Sequence, residues 1–113
     1  MKYNTYIKEN ILFLQLEGDL IGESNGLELM DLVSEKLNDN INRSAIDLAL
    51  VRYMNSSGIG VLITLLTKFR NKGGELVLIN PSEQIKKLLI ITKLNSIFVI
   101  VDNEAEALQR LTK

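Results

Sequence analysis

Residues 53–62 read YMNSSGIGVL, with two serines and two glycines set between a strand-like run and an apolar run. Upstream, SAIDLAL (44–50) has the composition of a strand. Downstream, the apolar stretch from Ile59 to Phe69 is long enough for a helix. The intervening Asn55, Ser56 and Ser57 are all N-cap residue types, and Gly58 and Gly60 permit close packing or special dihedrals. One helix start needs one cap, so at least one hydroxyl remains to face outward.

Such a loop, between a strand and the next helix, lies on the side of an α/β sheet where ligands and partners usually bind. A helix N-terminus attracts anions. The stretch nevertheless contains neither G-x-x-x-x-G-K-[ST] nor G-x-G-x-x-G, and no lysine follows in the first helical turns, which argues against a nucleotide pocket. A phosphate attached covalently to a loop serine suits the same electrostatics. Placed at 100° intervals, Ile59, Leu62, Ile63, Leu66 and Phe69 share one predicted core-facing stripe. Val61 and Leu65 fall to one side, near Lys68 and Lys72, and are expected to form a protein-binding face continuous with the serines.

Working outward, residues 3–8 and 11–17 predict two strands joined by a tight turn at Glu9-Asn10. Gly18-Asp19-Leu20-Ile21-Gly22 breaks the second strand. Leu27, Met30, Val33 and Leu37 then recur at amphipathic helical spacing as far as about Asn38–Asn40. Gly73-Gly74 stops the helix that follows the serines, and ELVLI (75–79) predicts a fourth strand. Asn80 is expected to cap a helix with Pro81 at its first position and Glu83 closing a capping box. A last strand at 97–101 leads to Asn103-Glu104-Ala105-Glu106, a second capping-box pattern. Without repeat, linker or low-complexity tract, residues 1–113 read as a single α/β domain. Its expected architecture is a mixed sheet with an N-terminal antiparallel hairpin and about four helices.

Composition narrows the function. Thirteen basic and fourteen acidic residues leave a formal charge of −1, without the basic excess that would release counterions from nucleic acid. No apolar run approaches the roughly 20 residues that span a bilayer, and MKYNTYIKEN lacks a signal-peptide core, so a cytoplasmic protein without membrane insertion is expected. The chain has no cysteine and no histidine, the side chains that supply most nucleophiles, general bases and transition-metal ligands near neutral pH. Its carboxylates are scattered, with no spacing that would converge two of them on a metal or substrate. Neither a metal site, a cofactor nor a catalytic residue is expected. A hydrolase using Ser56 as nucleophile would need Lys68 or a carboxylate as its base, and Gly-x-Ser-x-Gly is absent.

Asp47-Leu48, Val51, Tyr53 to Gly60 and Leu62 resemble the signature of the STAS domain found in bacterial anti-sigma-factor antagonists, D-L-x-x-V-x-F-[IM]-D-S-S-G-[LI]-G-x-L. Leu16-x-Gly18-x-Leu20, Gly73-Gly74-Glu75-Leu76 and Leu94 extend the similarity along nearly the whole chain. The resemblance implies a non-enzymatic switch, monomeric when free, in which Ser56 is phosphorylated by a partner that is both anti-sigma factor and serine kinase. A serine phosphatase would restore it. Partner binding would then involve Asp19, Ile21, Asn55, Ser57, Gly58, Ile59 and Gly60, together with Val61 and Leu65. Asn55 and Ile21 stand where many of these antagonists carry aspartate, which also leaves room for a STAS subunit that binds a transporter ATPase or stress-signalling assembly without phosphorylation.

Overall fold

The computed structural model describes residues 2–112, with the side chains of residues 23–25 left aside. Strand β1 (Lys2–Lys8) pairs antiparallel with β2 (Ile11–Leu20) through a two-residue turn in which Glu9 and Asn10 both have positive φ (52° and 62°). That conformation matches the right-handed twist of the strands it joins. Helix α1 (Gly22–Asn38) then leads to β3 (Arg43–Met54), helix α2 (Ser56–Asn71) to β4 (Glu75–Ile79), and α3 (Glu83–Ile91) to β5 (Val99–Val101). Helix α4 (Glu104–Leu111) follows. The sheet order is β1-β2-β3-β4-β5, and every pairing after the hairpin is parallel. The expected mixed sheet with an N-terminal hairpin and four helices is the observed one.

Alternation along the strands assigns the two faces. Leu12, Leu14, Leu16, Ile46, Leu48, Leu76 and Leu78 pack into one core with residues of α1, α2 and α3. Ile11, Phe13, Ala45, Val77, Ile79 and Val101 pack with Ala107 and Leu111 of α4 in another. Because the central strands are covered on both faces, β2 and β4 carry near-continuous apolar runs.

Several predicted boundaries move. Strand β2 continues through Gly18 to Leu20, because Gly18 takes φ 101° and the ladder with β3 shifts register there, so the glycine makes a bulge where a strand end is predicted. Strand β3 runs to Met54 rather than residue 50. Asn80 has φ 48° and cannot be the extended N-cap predicted for α3; Ser82 takes that place, its hydroxyl accepting from the Ile85 N–H at 3.3 Å. Residues 94–96 form a single 3-10 turn, which shortens the last strand. Asn103 does cap α4, accepting from the Glu106 N–H at 2.9 Å. Gly73 and Gly74 close α2 in a Schellman arrangement, Gly74 N–H to Phe69 O (2.9 Å) and Gly73 N–H to Arg70 O (3.0 Å), with Gly73 at φ 76°.

The α1 stripe also differs. Leu29 is fully buried and Leu27 is 79% exposed. Gly22 and Gly26 set the contact between α1 and α2: a Cβ on Gly22 would lie 2.5 Å from the Ser57 carbonyl oxygen, and one on Gly26 would lie 3.1 Å from Val61 Cγ2. At about 100° per residue, Gly22, Gly26, Leu29 and Val33 share one narrow face, from whose centre Leu27 is turned by roughly 120°.

Candidate functional site

Strand β3 delivers the chain to the end of the sheet at Met54, whose side chain is buried, and α2 begins at once. Asn55 is the N-cap: its φ and ψ are extended (−93°, 179°) and its Oδ1 accepts from the Gly58 N–H at 2.7 Å. Its carbonyl oxygen accepts from the Ile59 N–H at 3.0 Å. The capping role therefore falls to Asn55 and not to a serine. Ser56, the first helical residue, is exposed, whereas Ser57 is half-buried with its backbone packed on Gly22. The two adjacent hydroxyls are thereby distinguished by their surroundings.

The bulged end of β2 forms the other side. Leu20 is opposite Met54 and Asp19 opposite Tyr53 in the parallel ladder. The Leu20 carbonyl oxygen accepts from the Asn55 N–H at 3.4 Å and lies against Gly58, where an added Cβ would be only 2.2 Å away. Gly58 thus has a structural reason to lack a side chain: the start of α2 is seated directly on the backbone of β2. Ile59 is buried beside it. Gly60 has nothing within 4 Å of where its Cβ would be, so it opens on solvent. Ile21 occupies the N-cap of α1, where an aliphatic side chain cannot accept a hydrogen bond from the first helical N–H groups. Asp19 pairs with Arg52 at 3.4 Å, with side chains 40% and 77% exposed.

Asp19, Ile21, Asn55, Ser56, Ser57, Gly58, Ile59 and Gly60, predicted together from two separate segments, are therefore at one end of the sheet. Val61 and Leu65 are a correction. They are 4% and 0% exposed, while Ile63, predicted to be core, is 37% exposed. The buried arc of α2 covers Gly58, Ile59, Val61, Leu62, Leu65, Leu66 and Phe69 because the helix packs on the sheet and on α1 at once. A stripe read for one packing surface is too narrow and centred too far toward Ile63. Leu27, placed by its spacing on the apolar stripe of α1, is exposed.

No group of three or more Asp or Glu side chains capable of holding a metal ion occurs among the described residues. No helix of the described residues is long and apolar enough to cross a membrane.

A mixed five-stranded sheet with an N-terminal hairpin and four helices is the fold of the STAS domain family, to which the chain belongs: the family profile matches residues 2–107. A candidate anti-sigma factor antagonist of Thermotoga neapolitana is 30% identical over 105 residues, 93% of each chain. The anti-sigma F factor antagonist of Paenibacillus polymyxa is 27% identical over 101 residues, 89% of this chain and 86% of its own. Among solved structures, the anti-sigma factor antagonist SpoIIAA in its unphosphorylated form superposes with a TM-score of 0.84 at 18% identity, covering 98% of this chain and 96% of that one. The phosphorylated form of the Bacillus SpoIIAA gives 0.76 at 18% identity, covering 96% and 98%. These structural likenesses establish the shared fold.

Proposed function

We propose that the protein is an anti-sigma factor antagonist, a non-enzymatic binding module switched by phosphorylation of Ser56. The observation that carries this reading is the division of labour at the start of α2. Asn55 caps the helix and Ser57 is packed on Gly22, which leaves Ser56 as the exposed hydroxyl at a helix N-terminus. In the reaction an anti-sigma factor kinase transfers the γ-phosphoryl group of ATP to Ser56 Oγ, with loss of the hydroxyl proton and release of ADP. A serine phosphatase reverses the outcome by hydrolysis.

The N-terminal N–H groups and dipole of α2 favour an anion at Ser56, so the phosphorylated chain stays folded. Asn55, the residue immediately before it, is neutral and adds no repulsion of its own. A partner docked tightly over the serine would instead have to desolvate about −1.5 to −2 charges, which disfavours the complex. Asp19, Ile21, Asn55, Ser57 and Gly60 supply the proposed contact surface, and Gly58 and Ile59 hold it in shape. The free protein is proposed to be a monomer and to act in the cytoplasm.

The test is incubation with each purified anti-sigma factor kinase of the source genome and ATP, read by intact mass and fragmentation. One phosphate on Ser56 is expected, and none on Ser56→Ala, which keeps binding. Ser56→Asp should stay folded and bind on the order of 100-fold more weakly, equivalent to about 2.8 kcal/mol. Phosphate on Ser57 alone would reject the assignment. Tight binding with phosphate on neither serine would replace the switch by a static STAS subunit.

A further inference from the structure

Leu27 presents 79% of its surface to solvent on α1, although it is the type of residue that a helix on a sheet usually turns inward. It stands on the rim of a shallow groove of about 460 Å³ between α1 and α2. Gly26 and Val61 bring the two helices together in this groove, and Ser57 lines it. Its α2 side is formed by Gly60, which has no Cβ, and by Thr64, whose hydroxyl donates to the Gly60 carbonyl oxygen at 2.9 Å. With that hydroxyl already engaged, the groove offers mainly apolar surface, bounded on the α1 side by Leu27 and Met30.

We infer that Leu27 is an apolar anchor for the anti-sigma factor, which inserts an apolar side chain between Leu27 and Gly60 when it covers Ser56. The inference rests on the proposed switch and extends it to a residue outside the serine segment. Its occupant follows from size. A phosphoryl group can expel only a partner that lies over Ser56, and a standard interface covers about 800 Å² per partner, a patch roughly 30 Å across. The molecule itself measures 31 × 27 × 23 Å. A partner seated on Ser56 therefore also spans the groove that begins at Ser57. Within that groove Leu27 is the large apolar side chain left exposed, and Gly60 admits close approach of the partner's backbone.

The experiment measures binding of the full chain to each purified anti-sigma factor of the source genome by calorimetry, with melting curves and sedimentation of every variant. Leu27→Ala should weaken binding about 10-fold and Leu27→Asp about 100-fold. Both should melt within a few degrees of the parent, because the side chain leaves no cavity. Undiminished binding by both variants, with Ser56→Asp still weakened, overturns the role of Leu27 and leaves the switch standing. A wild-type chain that binds none of the anti-sigma factors overturns both. Self-association of the wild type that Leu27→Asp abolishes, with anti-sigma factor binding intact, would make a second copy the occupant and also refute the assignment.

Discussion

Gly58 and Gly60 lie two residues apart in the same helix, and replacing each by alanine should move stability in opposite directions. At Gly58 the new Cβ would be 2.2 Å from the Leu20 carbonyl oxygen, 3.1 Å from its carbonyl carbon and 3.1 Å from Met54 Cγ. Comfortable contact needs about 3.5 Å, so the start of α2 would have to move roughly 1 Å off the backbone of β2. The Asn55 N–H to Leu20 O bond (3.4 Å) and the Asn55 cap on Gly58 (2.7 Å) oppose that movement. Overpacking typically costs about 1–3 kcal/mol, at the upper end here because the obstacle is backbone, and alanine returns up to about 1 kcal/mol of helix propensity. A net loss of about 2 kcal/mol follows, or roughly 8 °C in Tm for a chain of this size. At Gly60 nothing lies within 4 Å of the new methyl group, so only the propensity gain remains. Gly60→Ala should be stabilised by about 0.5–1 kcal/mol. Urea denaturation of the three proteins, with the m-values checked for constancy, measures both changes. A Gly58→Ala protein as stable as the parent would refute the claim that α2 is seated on the Leu20 carbonyl.

Three further outcomes follow from the same geometry. Leu65→Ala should cost about 2–5 kcal/mol in urea denaturation, since the side chain is fully buried between α2, α1 and the sheet; a loss below 1 kcal/mol would return Leu65 to the surface. Asn55→Ala should cost about 1 kcal/mol by removing the acceptor for the Gly58 N–H, and Asn55→Asp should restore the cap, so melting curves that do not separate the two variants would count against capping by this residue. Gly74→Ala should be among the most damaging single-methyl additions, because the Cβ would fall 1.6 Å from the Asn42 carbonyl oxygen where α2 turns into β4; soluble protein with an unchanged Tm would contradict that contact.

The signals that could be read in one dimension were local ones. Apolar runs bounded by glycine, Asn55 before a helix and Asn103 three residues before Glu106 each act within a few residues. The hairpin, the alternation of strands with helices and the position of the serine segment at a strand-to-helix junction were therefore legible, as was the family resemblance that the STAS profile now bears out. What remained hidden depends on which surfaces meet. Ser82 replaces Asn80 as the α3 cap because Asn80 takes a left-handed turn and its N–H is drawn to Val101 O at 2.8 Å, a partner on another strand. Val61 and Leu65 are buried, and Leu27 is not, because Gly22 and Gly26 let α1 settle on α2 along one line. The distinction between Ser56 and Ser57 comes from that same contact, which packs one against Gly22 and leaves the other exposed. Local patterns specify that a helix begins at two serines; only the docking of a second helix decides which of them faces the solvent, because side-chain periodicity encodes how many apolar residues a helix carries but not how many neighbours will share them.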